Sequence, residues 1–406
     1  MGCSYATKNL FLEWNNLMKQ RSSLMASAAA FLLMMSMAIT TTVFGFFVTP
    51  VCEDLGLSRG SFTIYVSLMT VSASICTPMM GQYINRKGVR NIILISGIWC
   101  SIGFVIFSFA NSVWVFYLTA ILIGMFTTNC VSLCATVVVQ QTYSEEKASG
   151  VLGIVMAGSG VGGMILSLIV PGLIQNYGWR MGYRFAALCW MVLVLGAFFL
   201  LGGQKISGNI AQRKQSVDGM TRAEALRSPM LYLLMAAMFA MTASSCIQPH
   251  LPALLVGMDF STAQVSVMVS VMTASLALGK ILQGLLYSKL GIFKGSVIML
   301  VLFAMSFLLL LSSRAVYPGL VTLAFGLGTI TTLLPTVTRA ILGSREYPAI
   351  WSIISTTNSV SAFLMTPLWG MVYDTTGSYR LALIQSPILI GISLVALLVA
   401  FRMSKK

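Results

Sequence analysis

Long apolar stretches alternate with short polar ones along the chain. Twelve of the apolar stretches are long enough to cross a bilayer, because about 20 helical residues span its hydrocarbon core. Helices suit that environment because they satisfy their own backbone hydrogen bonds, which lipid cannot do. We therefore predict an all-α membrane protein with twelve transmembrane helices. In chain order, segments 1 to 12 are predicted at 24–50, 60–84, 91–110, 113–139, 148–173, 183–203, 229–256, 263–287, 295–313, 316–338, 350–373 and 380–402.

Composition and charge agree with this class. Hydrophobic residues make up 57% and charged residues 9% of the 406 positions, far from the balance of a soluble domain. A net charge of +15 can indicate nucleic acid binding, but its distribution argues for membrane topology. With the N-terminus in the cytoplasm, 19 Lys and Arg residues lie on that side and 5 on the other, and Lys280 lies within a segment. The positive-inside rule then places both termini in the cytoplasm. We expect the protein to lie in the plasma (inner) membrane and to have no nucleic acid partner.

The chain lacks the signatures of an enzyme or of a metalloprotein. Its eight cysteines lie mostly within predicted segments, without the spacing of a disulfide framework or a zinc site. It has no Walker loop, no dinucleotide-binding loop after a strand, and no paired nucleophile and base. We therefore expect no cofactor, no metal and no enzymatic activity, and an ATP-driven pump is disfavoured.

The second half of the chain repeats the first. The run Gly81–Gly88 (GQYINRKG) matches Gly284–Gly291 (GLLYSKLG) in both glycines and one basic residue, at an offset of 203. Ser58 and Ser261 share that offset. Two parallel halves of this kind build transporters, with the substrate site at their interface near the membrane midplane. The predicted parts are a cytoplasmic N-terminal segment (1–23), six-helix bundles at 24–203 and 229–402, a cytoplasmic linker (204–228) and a cytoplasmic tail (403–406).

The first of these runs resembles a known family signature. The pattern Gly81-x-x-x-Asn85-Arg86-x-Gly88-x-Arg90 is similar to the loop 2–3 motif of the major facilitator superfamily. Its glycines permit close packing and a tight turn, and its arginines can bond to neighbouring helix ends. The family's usual aspartate is Asn85 here, which removes one charge. The resemblance implies a conformational latch made of Gly81, Asn85, Arg86, Gly88 and Arg90, with Gly284, Lys289 and Gly291 as second-half counterparts.

A single cation lies inside segment 8. Lys280 occupies an otherwise apolar stretch, and no acidic residue lies deep in any predicted segment to pair with it. A cation in hydrocarbon costs at least about 2.5 kcal/mol, so such a residue normally faces a water-filled path or a partner. We interpret Lys280 as an anion-binding residue. Alternatively, its long side chain reaches toward the interface near Tyr287, about 10 Å of helix rise away.

Two further stretches narrow the resemblance to the monocarboxylate and oxalate:formate antiporter branch of that superfamily. They are Gln248-Pro249-His250-Leu251-Pro252 and Pro367–Tyr379 (PLWGMVYDTTGSY). In that branch, a basic residue four positions before the glycine of segment 8 binds the substrate carboxylate, which implies this role for Lys280 beside Gly284. Proton-coupled members carry an acid where Leu276 stands, and oxalate-type members carry a second cation in segment 11, which has none here. A monoanion is therefore favoured over a dianion.

Further polar residues are candidates for the substrate path. Thr273 shares a stripe of small and polar residues with Lys280, and segment 11 has a similar stripe. Such stripes either line a cavity or let helices pack closely. The only histidine, His250, lies where two prolines are expected to break segment 7, and it can bond to substrate, carry a proton or bond to a freed carbonyl. The predicted substrate-binding set is Lys280, His250, Gln248, Asn129, Thr273, Ser355 and Ser359.

These features predict a secondary active transporter that moves a small organic anion, a monocarboxylate, by alternating access. We expect it to act as a monomer in the lipid bilayer. Two alternatives remain open: an efflux carrier for amphipathic or drug-like compounds, and a receptor of the same fold that binds without transporting. Because no deep acid is present, anion exchange is expected, unless His250 or Lys280 itself carries a proton.

The charge distribution generates a prediction about topology. In a chain whose native cysteines are replaced, Arg213→Cys and Lys405→Cys should react with a membrane-impermeant thiol reagent only after cells are permeabilised. The reason is that both positions lie on the side rich in Lys and Arg. The matched control, Arg314→Cys, should react in intact cells. Labelling of positions 213 and 405 from outside intact cells would contradict the topology.

Overall fold

Helices make up nearly all of the chain that the structure describes. In this computed structural model, the backbone is described at 2–143, 145–202, 219–343 and 345–404, but side chains are not described at 2–20, 77–78, 81–82, 85, 87, 128–130, 145–149, 281, 284, 288 and 348. Most of the predicted linker therefore lies outside the described residues. The helices are α1 (Gly2–Thr41), α2 (Val48–Leu55), α3 (Arg59–Lys87), α4 (Val89–Ser108), α5 (Val113–Phe126), α6 (Thr128–Thr142), α7 (Glu145–Tyr177), α8 (Trp179–Leu201), α9 (Arg222–Arg227), α10 (Pro229–Ser245), α11 (Leu251–Val256), α12 (Thr262–Leu309), α13 (Val316–Leu342), α14 (Tyr347–Thr376) and α15 (Arg380–Ser404). Short 3-10 turns cover Val43–Phe47, Gln248–His250 and Ser313–Ala315.

The all-α membrane fold is confirmed, and the predicted segments fall on helices. Within the described part of the chain, 10 helical spans are long and apolar enough to cross a membrane. The two other predicted segments, 60–84 and 350–373, lie in α3 and α14, which are 29 and 30 residues long. These two helices are rich in Ser and Thr, and they pack against each other. Their polarity is therefore concentrated where the two halves of the chain meet.

Segments 1 and 7 are broken at corresponding places. The sequence predicts one helix at 24–50, but α1 ends at Thr41 and the 3-10 turn Val43–Phe47 follows it. In segment 7, the turn Gln248–His250 lies where prolines are expected to interrupt the helix. The two turns contact each other, and a Cβ on Gly45 would lie 2.8 Å from the carbonyl oxygen of Pro249. Backbone thus meets backbone at this crossing.

The two halves repeat each other in backbone detail. Gly88 has φ 81° and ψ 163°, and Gly291 has φ 77° and ψ 159°, a region that only glycine adopts readily. Ser58 and Ser261 cap the N-termini of α3 and α12, each accepting a hydrogen bond from the backbone N–H three residues later. Gly291 also interrupts α12 and so separates predicted segments 8 and 9.

Each half has its own apolar core. Buried side chains between residues 26 and 201 form one cluster. Those between residues 225 and 400 form a second cluster, which Phe46 joins from the first half. Aromatic rings pack closely in the first core, where Phe47 stacks on Tyr183 with 3.9 Å between ring centres. Because the cores are separate, the contacts between the halves are confined to a few helix pairs.

Two helix pairs, α3 with α14 and α7 with α12, form the seams between the halves. Glycine lets the backbones come close. A Cβ on Gly370 would lie 2.7 Å from the Cα of Gly60, and a Cβ on Gly160 would lie 2.7 Å from the Cβ of Ala277. Small residues at helix interfaces allow this packing in membranes. Larger side chains at these glycines would push the halves apart.

A carboxylate closes one end of the α3–α14 seam. Asp374, near the end of α14, accepts hydrogen bonds from the backbone N–H groups of Arg59 at 3.0 Å and Gly60 at 2.8 Å. These amides begin α3, so they have no partner within the helix and carry the positive end of its dipole. The Arg59 guanidinium lies 3.7 Å from the ring centre of Tyr373 and donates to the Tyr379 hydroxyl at 3.3 Å. We call these five residues the closed end.

Removing the charge of Asp374 should loosen the closed end. Cys52, which is 7% exposed, reports on this region because its thiol donates to the carbonyl of Ser58 at 3.8 Å. In Asp374→Asn, the reaction of Cys52 with a water-soluble thiol reagent should accelerate about tenfold. This corresponds to a loss of about 1.4 kcal/mol in the free energy that holds the two halves together at this end. Peptide mass spectrometry measures the rate at this cysteine.

The matched control for this experiment is Asp259→Asn. Asp259 is exposed between α11 and α12, so the substitution removes the same charge without touching the closed end. Its Cys52 rate should equal that of the unmodified protein. Equal rates in Asp374→Asn and Asp259→Asn would show that the Asp374 carboxylate does not hold this end shut.

Candidate functional site

A cavity of about 740 Å³ lies between the two halves. Side chains from α1, α3, α6 and α7 line it on one side. The other side is formed by α10, the Gln248–His250 turn, α12, α13 and α14. None of the five residues of the closed end borders it. A Cβ on Gly153, which does border it, would meet no atom within 4 Å. Sites for organic ligands usually measure about 300–1,000 Å³, so the cavity has room for one such molecule.

Lys280 brings the only charge to this cavity among the described lining residues. Its ammonium forms no hydrogen bond or ion pair with any residue that the structure describes. The stem of the side chain lies against α13, where a Cβ on Gly328 would be 3.4 Å from the Cγ of Lys280. Lys280 thus borders the space between the halves, and no described acidic group neutralises it.

The N–H donors and the methionines of the described cavity lining lie on opposite sides. Among the described lining residues, the side chains that carry N–H groups all belong to the C-terminal half: Gln248, Lys280 and Asn358. The lining methionines all belong to the N-terminal half: Met34, Met37 and Met156. Hydroxyls on the N-terminal side bond back to their own helices, as Thr41 does to the carbonyl of Met37 at 3.0 Å. A ligand with one polar end and one apolar end matches this division.

Asn358 is held in place by a neighbouring helix. The hydroxyl of Thr242 in α10 donates to the Oδ1 of Asn358 in α14 at 2.8 Å. An amide has separate donor and acceptor ends, so this bond leaves the N–H groups of Asn358 available to the cavity. The sequence-based set omits this residue. The sequence did offer one signal for Asn358: it is the single side-chain amide of a hydroxyl-rich membrane helix, and an amide buried there needs a hydrogen-bond partner.

His250 lies outside the cavity and contacts the closed end through Tyr379. The ring is fully buried, with its Nε2 donating to the carbonyl of Thr366 at 2.9 Å and its Nδ1 accepting from the Tyr379 hydroxyl at 3.0 Å. Tyr379 in turn accepts from Arg59. Both ring nitrogens are therefore occupied by protein groups, which corresponds to the alternative of a histidine that bonds to a freed carbonyl.

Two other candidates lie in the seams. The methyl group of Thr273 packs on α7, 3.0 Å from where a Cβ on Gly163 would be, and its hydroxyl bonds to its own helix. Ser359 pairs with Ser74 across the α3–α14 seam. Neither residue borders the cavity. Both residues therefore lie in close helix–helix contacts, which is the second of the two interpretations of a small-residue stripe.

The rest of the predicted set divides in the same way. Gln248 borders the cavity, as Lys280 does. Ser355 bonds back to the carbonyl of Ser352 at 3.0 Å and does not border it. The side chain of Asn129 lies outside the described residues. Of the six predicted residues whose side chains the structure describes, two border the cavity. Substrate binding by any of the seven remains a prediction.

The first-half latch candidates lie in or just after the last two turns of α3, opposite the closed end, and their counterparts lie in α12. Arg90 places its guanidinium 4.2 Å from the ring centre of Phe198, a cation–π contact within the first half. Arg86 and Lys289 are exposed, and the glycine turns at 88 and 291 are those described above. The side chains at Gly81, Asn85 and Gly284 lie outside the described residues. The latch role stays a prediction.

Comparison with known proteins gives the relationships of the chain. A family model described as Major Facilitator Superfamily matches residues 28–366. Monocarboxylate transporter 12 of Mus musculus is 25% identical over 372 residues, covering 80% of this chain and 76% of that protein. The MFS-type transporter YcxA of Bacillus subtilis (strain 168), itself described as uncharacterized, is 24% identical over 374 residues, covering 88% and 90%.

Solved structures share the fold at low identity. The nucleoside transporter NupG, in a mutant form, superimposes with a TM-score of 0.75 at 13% identity, covering 94% of this chain and 99% of that one. A bacterial homolog to the human lysosomal transporter Spinster, inward-facing and occupied, gives 0.71 at 15% identity, covering 96% and 97%. Two repeated halves around a cavity, and a family model that spans most of the sequence, lead to one conclusion: the chain belongs to the Major Facilitator Superfamily and is a transporter rather than an enzyme.

Proposed function

We propose that this transporter carries a small organic monoanion, a monocarboxylate, and that Lys280 binds the carboxylate. The observation that carries the proposal is an ammonium group in the cavity between the halves without a described countercharge. At an effective dielectric constant of about 20, opposite unit charges 4 Å apart attract by about 4 kcal/mol. One cation matches one negative charge. The similarity to a protein named as a monocarboxylate transporter supports the same class.

The division of the cavity suggests the pose of the substrate. The carboxylate lies against the C-terminal half, where Lys280 and the amides of Gln248 and Asn358 supply N–H donors. The carbon skeleton extends toward the methionines of the N-terminal half. Thioether side chains adapt to varied apolar shapes. A cavity of about 740 Å³ exceeds the needs of a two-carbon acid, so a larger, amphipathic monocarboxylate is favoured.

Alternating access would follow from moving the halves at their seams. We infer that the cavity opens on the side away from the closed end, which is the cytoplasmic side if the charge-based topology holds. Release to the other side requires the hydrogen bonds from Asp374 to the start of α3 to break. The separate cores allow each half to move as a unit, since few core contacts cross between them.

Replacing the cation should abolish anion transport. In proteoliposomes, Lys280→Gln should lower kcat/KM for labelled monocarboxylates, from acetate to benzoate, at least about a hundredfold, equivalent to about 2.7 kcal/mol. Lys280→Arg keeps the charge and should retain part of the activity. Lys294→Gln, an exposed lysine further along α12, is the matched control and should transport normally. Uptake at the normal rate by Lys280→Gln would refute the role of this lysine.

A second candidate function is efflux of amphipathic or drug-like compounds, which the methionine side of the cavity favours. The same variants separate the two functions. A carrier of neutral or cationic amphiphiles gains nothing from the ammonium, so Lys280→Gln should keep or increase its transport. A monocarboxylate carrier should lose transport in that variant while its affinity for neutral analogues of the substrate stays unchanged.

The absence of a deep acid predicts how transport is driven. Leu276, which borders the cavity, stands where proton-coupled relatives carry an acid, so the common carboxylate route for protons is missing. In proteoliposomes loaded with the same anion, exchange should be faster than net uptake, and a pH gradient alone should drive little accumulation. Strong proton-driven accumulation that persists in His250→Ala would contradict exchange and leave Lys280 as the proton carrier.

A further inference from the structure

We propose that Gln283 positions Lys280 for anion binding, through a hydrogen-bonded contact between α12 and α13. This inference rests on the proposed function, because it concerns how the binding cation is held. Gln283 follows Lys280 by three residues, and side chains at that spacing are neighbours on a helix. Among the described residues, no acidic side chain pairs with Lys280 and orients it. Its direction must therefore come from packing and from neutral neighbours.

The amide of Gln283 is completely buried and fully engaged. Its Nε2 donates to the backbone carbonyl of Phe325 at 2.6 Å and to the hydroxyl of Thr329 at 3.0 Å. Its Oε1 accepts from the hydroxyl of Thr332. All three partners lie on α13, and the relative exposure of Gln283 is 0%. A buried amide with these bonds fixes the register between two helices, because its geometry tolerates little sliding.

Lys280 and Gln283 lie over the same glycine of α13. A Cβ on Gly328 would be 3.1 Å from the Nε2 of Gln283 and 3.4 Å from the Cγ of Lys280. The missing side chain at this position thus makes room for both residues. Next to them, a Cβ on Gly279 would lie 2.6 Å from the ring of Phe325. The first methylenes of Lys280 are therefore confined between α12 and α13.

This arrangement directs the ammonium toward a specific part of the cavity. Thr332, which donates to Gln283, borders the cavity, as do Lys280 and the adjacent Thr331. The amide therefore fixes the helix that carries Lys280 against Thr332 of the neighbouring helix without adding a charge. A carboxylate at position 283 would bond to the ammonium itself. The neutral amide anchors α13 and leaves the charge of Lys280 for the substrate.

The fold should tolerate loss of the amide. Thr329 also donates to the carbonyl of Phe325 at 3.0 Å, and Thr332 also donates to the carbonyl of Gly328 at 3.1 Å. Both hydroxyls therefore keep a partner in Gln283→Leu. Because no buried donor is stranded, the variant should be produced in folded form, and its effect should fall on the position of Lys280.

The first test measures the lysine directly and needs no transported substrate. Purified protein is treated with the amine-acetylating reagent sulfo-N-hydroxysuccinimide acetate, and acetylation of Lys280 is measured by mass spectrometry relative to exposed Lys294. In Gln283→Glu, an ion pair should keep the ammonium protonated, and so unreactive, and lower this ratio about tenfold. An unchanged ratio would overturn the proposal.

The second test uses transport of whichever labelled monocarboxylate the unmodified protein takes up fastest. In Gln283→Leu and Gly328→Ala, KM should rise about tenfold, equivalent to about 1.4 kcal/mol of binding, while kcat changes little. Gly391→Ala, where an added Cβ meets no atom within 4 Å, is the control and should leave both constants unchanged. A fall in kcat with KM unchanged would indicate a purely structural role and overturn the proposal.

The two tests separate this inference from the proposed function. If Lys280→Gln transports normally, the carboxylate role of Lys280 fails, while the acetylation ratio still reports whether Gln283 controls the lysine. If Lys280→Gln is inactive and the ratio is unchanged in Gln283→Glu, the proposed function stands and the positioning role fails.

Discussion

An unpaired charge inside a membrane protein constrains everything around it. Lys280 can remain charged only where water or an anion reaches it, because hydrocarbon solvates an ammonium poorly. The cavity between the halves provides that place, and its remaining described lining is neutral. The seams of small residues and the glycine facing the lysine stem allow helices to approach without filling the cavity. The one charge of the described cavity lining thus lies where the two halves meet.

The repeat explains why the cavity lies between the halves. Each half buries its own core, and each begins with a helix that breaks near its end, at Val43–Phe47 and at Gln248–His250. The two breaks meet, and the α3–α14 and α7–α12 pairs flank them. At this contact region backbone approaches backbone, as between Gly45 and the carbonyl of Pro249.

Much of the fold was predictable, because apolar length and the 203-residue repeat are properties of the sequence alone. The break in segment 1 was not, since the stretch around Gly45 has no proline before Pro50 to mark it. In the site, Lys280 stood out because a buried charge is costly. Thr273 and Ser359 lie in seams. The sequence could not show this, because a stripe of small residues looks the same whether it faces a cavity or another helix. Asn358 and Gln283 depend on partners more than 40 residues away, which no local pattern reveals.

The closed end has an asymmetric chemistry. Asp374 supplies a side chain, but its partners at positions 59 and 60 are backbone N–H groups. Every residue except proline keeps the backbone N–H that Gly60 donates to Asp374. Proline is well tolerated in the first turn of a helix. A change at position 59 or 60 that is harmless to α3 by ordinary helix rules would therefore remove a bond that joins the two halves. At this end of the molecule, tolerance to mutation and preservation of the bonds between the two halves are separate properties.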